Sequence, residues 1–155
     1  MNLKTVRSAI ISILESANTT TATVDLSSGL QTRVQQVIAG SPKRPIGLDS
    51  YPLIFVSLAG KSEEQPFLGD SARRDITANW NIYCLTCLAD SATAAENESI
   101  TLSDNVESVL RNYIDLSGTV DYSNLEDTEY SLEDEDSVYV HTARIGMMTR
   151  LWGRT

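Results

Sequence analysis

The chain has 155 residues, 41% of them hydrophobic and 21% charged, which suits one soluble globular domain able to bury its own core. Its formal net charge of −9 argues against a general nucleic-acid binder, which would carry a basic face. No apolar run approaches the ~20 residues of a membrane helix, and no secretory leader pattern opens the chain, so a protein made in the cytoplasm is expected.

Residues 3–17 set Leu3, Val6, Ile10, Ile13, Leu14 and Ala17 on one stripe at helical spacing, with Lys4, Arg7 and Glu15 off it. Asn2 is placed to cap this amphipathic helix. Asn18, which tolerates the left-handed position, and the three threonines after it are placed to end it. Residues 20–40 carry a weaker signal. A strand at 23–26, a turn at Ser27-Ser28-Gly29 and a second strand at 30–39 are favoured, although Val34, Val37 and Ile38 also suit a short helix. Residues 41–52 hold three of the four prolines, with Lys43 and Arg44, and predict an irregular loop. Leu-Ile-Phe-Val-Ser-Leu at 53–58 reads as a short apolar strand ended at Gly60.

Residues 61–74 read as a polar hairpin connection longer than a tight turn requires. Phe67 and Leu68 sit at its tip, and an aromatic exposed on a loop points to contact with another protein. The next stretch, 74–89, organises the rest. Ile76, Ala78, Trp80, Ile82 and Cys84 alternate with Asp75, Thr77, Asn79, Asn81 and Tyr83, the period of a strand with one buried side. It is far longer than the usual strand of about five or six residues, which predicts the central strand of an antiparallel sheet. On such a strand Cys84 and Cys87 point to opposite faces, so their spacing makes neither a redox pair nor half a zinc site.

Thr93 and Glu96 fit a capping box that opens a helix running to about residue 114. Leu102, Val106, Val109, Leu110 and Tyr113 would form its buried stripe, and Ser99, Asp104, Glu107 and Arg111 its wet face, with Gly118 as the stop. Residues 112–143 contain no Lys or Arg but nine acids, and the rest of the chain balances twelve acids against twelve bases. Val120, Leu125, Tyr130 and Leu132 punctuate this acidic region as one or two short edge strands. Residues 137–152 form a second long strand, with Tyr139, Ala143, Ile145, Met147 and Leu151 on one side. The order predicts an α+β fold: an antiparallel sheet with two amphipathic helices on one face and a long loop protruding between two strands. A single domain over residues 1–155 is expected.

Catalytic patterns are not evident. The one histidine, His141, lies mid-strand with no Gly-x-Ser-x-Gly nearby, and neither phosphate-cradling glycine motif occurs. The acids at 133–136 lack the spacing and glycine of a calcium loop. The residues therefore predict no catalytic, cofactor or metal site, and a protein that is not an enzyme.

Four stretches, taken in order, resemble a known class. They are the opening helix 3–17, the strand Tyr51-Pro52-Leu53-Ile54-Phe55-Val56, the long strand around Trp80-Asn81-Ile82-Tyr83 followed directly by a helix, and the closing strand 138–152 after an acidic stretch. This layout resembles the tail-terminator (tail-completion) proteins of long-tailed bacteriophages, and more loosely the other neck proteins that join head to tail. The resemblance implies a structural virion protein, made in the host cytoplasm. It would form a homohexameric ring that caps the tail tube and docks on a head-completion or connector protein. DNA would pass through the pore without specific binding, and neither a membrane nor a cofactor would be involved. In such a ring Phe67 and Leu68 are candidate contacts, and Arg73, Arg74, Arg144 and Arg150 are candidates to meet a neighbour's acidic segment. Glu133, Asp134, Glu135 and Asp136 would either line the pore, where like charge lets phosphate slide, or serve as a solubilising surface. One alternative is a head-closure or connector adaptor on the portal side. Another, from a different class, is a stand-alone α+β enzyme or ligand-binding domain.

Overall fold

The computed structural model of the protein describes residues 2–42, 47–64, 74–88, 91–135 and 138–154. Helix α1 (Leu3–Ala17) is followed by β1 (Gln36–Ala39), β2 (Leu53–Glu64), β3 (Arg74–Leu88), α2 (Ala92–Arg111), β4 (Tyr122–Glu135) and β5 (Val138–Arg154). The strands form a five-stranded sheet in the order β1-β2-β3-β5-β4, an α+β fold with β3 at its centre. The four long strands pair antiparallel as expected, but β1 runs parallel to β2, so the sheet is mixed. Leu53 sits beside Gln36 and Val56 beside Ala39, so the two strands run the same way.

Alternation along β3 decides which residues are core. Ile82 lies between Val56 and Ile145, Cys84 between Ile54 and Ala143, and Trp80 between Leu58 and Met147. All but Leu58 are buried, and they join Val6, Ile10 and Leu14 of α1 and Leu102, Val106 and Leu110 of α2 in one cluster. Each such side chain taken fully out of water contributes roughly 1.5–3 kcal/mol. The opposite face holds a smaller cluster of Tyr51, Leu53, Phe55, Leu85 and Val140, where the Phe55 and Tyr83 rings stack at 4.5 Å. Cys84 belongs to the first cluster and Cys87 packs on the second, so the two sulfurs diverge and both are free thiols. Burial, reinforced by the charge of Glu107, pushes the Cys84 thiol far above its ordinary range and keeps it unreactive.

Several expectations are corrected. No strands form at 23–26 or over the whole of 30–39; only Gln36–Ala39 pairs. Side-chain hydrogen bonds hold the intervening chain instead. Asn105 Nδ2 donates to the carbonyls of Leu26 and Ser28 at 3.0 and 2.8 Å, and Glu98 accepts from the Gln31 amide at 2.7 Å. Asn18 is not left-handed (φ −84°); its amide reaches the Val34 carbonyl at 3.0 Å and its oxygen accepts from Ser27 and Arg33. β2 continues past Gly60 through a bulge to Glu64, so residues 61–64 belong to a strand rather than a loop. Ser91, not Thr93, caps α2, accepting from the Ala94 amide at 3.3 Å; the helix ends at Arg111, leaving Tyr113 exposed. Ser99, assigned to the wet face, is buried. The acidic region forms one long strand rather than one or two short ones.

Asp25 forms an ion pair with Arg33 at 2.8 Å across the α1–β1 connection. The hydrogen bond from Arg33 holds the Asp25 carboxyl below its ordinary value against the opposing effect of burial, with lesser help from the Ser27 amide. A depressed carboxyl stabilises the fold above its unfolded pKa, and that contribution is lost as pH falls through the folded pKa. Asp25→Asn should therefore be less stable than the parent at neutral pH, with the gap closing in acid. Denaturation midpoints across pH measure it; a gap that widens in acid would contradict the assignment.

Candidate assembly surfaces

The strands outrun the core that helices and sheet share. β2, β3, β4 and β5 have 12, 15, 14 and 17 residues, whereas a strand serving a small core needs about five or six. Beyond the bulge in β2, residues 61–64 are all exposed. At the opposite end of the sheet, Tyr130, Leu132 and Tyr139 share the helix-side face but lie partly beyond helical cover, 49%, 51% and 37% exposed. The Tyr130 hydroxyl still reaches Ser103 Oγ at 2.9 Å, and Thr128 donates to Glu107 at 2.6 Å, which ties β4 to α2. His141, directly across the ladder from Leu132, is buried, and its Nε2 has no hydrogen-bond partner among the described residues.

Two bulges lie at one level of the sheet. β2 takes an extra residue at Ala59, next to the pair Leu58–Trp80, and β4 sets Glu126 and Asp127 against Gly146, next to the pair Leu125–Met147. Between them a cavity of about 370 Å³ is bordered by Asn79, Asn81, Arg144, Glu126, Asp127 and Glu129. Arg144 spans it, donating to Asn81 Oδ1 at 2.9 Å and pairing with Glu129 at 2.9 Å. Among the described residues no group of three or more potential metal ligands is gathered.

The candidate residues named from sequence fall in different places. Arg144 is engaged inside its own sheet. Arg74, at the start of β3, lies 4.0 Å from Glu63, whose carboxyl is held below its ordinary value mainly by the hydrogen bond from Lys61. Arg150 is exposed opposite Tyr122 on the face away from the helices, and on the next outward position Trp152 is half exposed. The sequence reading missed this Tyr122–Arg150–Trp152 patch, although Arg and Trp two apart on a strand signal a shared face. Glu133 is exposed near the end of β4, and Asp134 and Glu135 follow it, opposite Tyr139 and Val138. Phe67, Leu68, Arg73 and Asp136 lie outside the described residues. No helix among the described residues is long and apolar enough to cross a membrane.

No family model matches the chain, and no curated protein matches it. Among solved structures, it is similar to a chain of one titled "Virion of native gene transfer agent (GTA) particle". The identity is 14% and the TM-score 0.41, over 94% of this chain and 96% of that one.

Proposed function

We propose that the protein is a structural component of a phage-like particle, a tail terminator that forms a hexameric ring on the tail tube and presents a docking surface to a head-completion protein. The observation that carries this reading is the excess of sheet over core: four strands of 12 to 17 residues whose ends extend past the helices. Exposed Leu132 and Tyr139 on one face and Trp152 on the other are surface that an assembling protein would cover on contact. The subunits would meet through different faces, the heterologous contact that closes a ring. Phe67 and Leu68 are assigned to the contact with a neighbouring subunit or the tube, and the Arg73, Arg74 and Arg150 side chains to its polar rim.

Tail tubes assembled with the protein and imaged end-on test the reading. Six copies in the terminal layer are expected, together with tubes of uncontrolled length when the protein is omitted. Any other count, or tubes of unchanged length without it, would rule out the terminator role. A head-closure adaptor would instead leave tube length unaffected and stay with the portal side.

A further inference from the structure

We infer that the outer edge of β4 is a docking site for an extended segment of a different protein, one that alternates basic and apolar residues and adds itself to the sheet as a further strand. β4 is the last strand of the sheet, with β5 its only strand neighbour, so among the described residues the backbone donors and acceptors on its other side join no ladder. A long open edge is a template for one more strand.

The side chains beside that edge define what fits. Glu129 and Glu133 lie on the face away from the helices, and Tyr130 and Leu132 alternate with them on the helix side. All four are exposed and β4 carries no Lys or Arg; the Glu129 carboxylate, already paired with Arg144 of β5, keeps acceptor capacity for a second cation on its open side. An incoming strand therefore meets carboxylates on one face and half-exposed apolar groups on the other. Cross-strand pairing favours opposite charge on the first face and apolar contact on the second, which calls for Lys or Arg at alternate positions with Val, Ile or Leu between them. Two other occupants are disfavoured by the same rule. A second β4 would set acid against acid. Among the described residues the sheet's other edge is β1 and, past its end, residues 57–64 of β2, a segment that brings Glu63 and Glu64 with a single Lys61. Nucleic acid would meet like charge.

The proposal is independent of ring size, so the imaging experiment and the following one can fail separately. A fluorescent ten-residue peptide alternating Lys and Val is titrated against the full-length protein. A block isomer, five Lys followed by five Val, and an alternately N-methylated copy serve as controls. The alternating peptide should bind at least tenfold more tightly than either control, weaken with added salt, and slow amide exchange in β4. The double variant E129K/E133K, checked for unchanged melting, should bind it at least tenfold more weakly. Equal binding of the block isomer would reduce the effect to charge alone and overturn the proposal. Exchange protection elsewhere in the sheet would also overturn it. So would concentration-dependent protection of β4 without peptide, because the occupant would then be a second copy.

Discussion

Trp80→Ala should lower stability by roughly 3–5 kcal/mol, the range for truncating a large buried aromatic. Against the total of about 5–15 kcal/mol typical of a folded protein, that loss removes a third or more for all but the most stable domains. Trp80 is 1% exposed on the central strand, within the cluster that contains side chains of both helices. Its Nε1 donates to Thr149 Oγ1 on β5 at 3.0 Å, and that hydroxyl in turn donates to the Ala78 carbonyl at 3.4 Å. Removing the indole opens a cavity at the meeting point of three elements and takes away the acceptor's buried partner. Trp80→Phe should cost less, because most of the ring remains and Thr149 keeps its bond to Ala78. Urea denaturation separates the cases: the midpoint should fall with an unchanged slope. A loss below about 1 kcal/mol for the alanine variant would mean the core closes over the gap.

The second large effect concerns DNA passage and follows from the proposed ring. Particles in which this protein carries Lys at positions 133–136, in place of Glu133, Asp134, Glu135 and Asp136, should assemble but release DNA slowly or incompletely. The first three of these positions form the end of β4, opposite residues 138–140 of β5. If that end faces the pore, each introduced base would hold a phosphate, and the effect multiplies around a ring because each copy adds the same contact. Changing the four to Asn or Gln removes repulsion without adding attraction, so release should stay close to normal. Time-resolved DNA release from purified particles measures both. Lys particles that release at the parental rate would assign these acids to an outward face, and a defect seen only at head joining would lead to the same conclusion.

Much of the fold was legible before any coordinates. Helix α1 has the predicted bounds because its apolar stripe, its Asn2 cap and the threonines that follow act within a few residues of one another. The buried side of β3 follows directly from the alternation of Ile76 to Cys84, since side-chain direction on a strand depends on parity alone. The same parity separates Cys84 from Cys87. Where the reading failed, the deciding forces came from distant residues. Residues 23–26 and 30–39 carry strand-like patterning, yet Glu98 and Asn105 of α2, 67 to 79 positions on, bond the Gln31 amide and the Leu26 and Ser28 carbonyls and hold the chain around them irregular. Ser91 is intrinsically the better cap, whereas Thr93 has Glu96 to complete a capping box, so the two local signals point to different starts.

For the candidate surfaces, the chemistry is legible in the residues but the placement is not. It determined that one acidic stretch holds the surplus charge and that long alternating strands are present. Only the tertiary structure decided that the acidic stretch is a single edge strand with an open side, that Arg144 is engaged by Asn81 and Glu129, and that Arg150 and Trp152 share an exposed face with Tyr122. The physical reason is that strand order and register are set by pairings between residues far apart in the chain. Parity tells which side chains travel together, and the neighbouring strand determines what they meet.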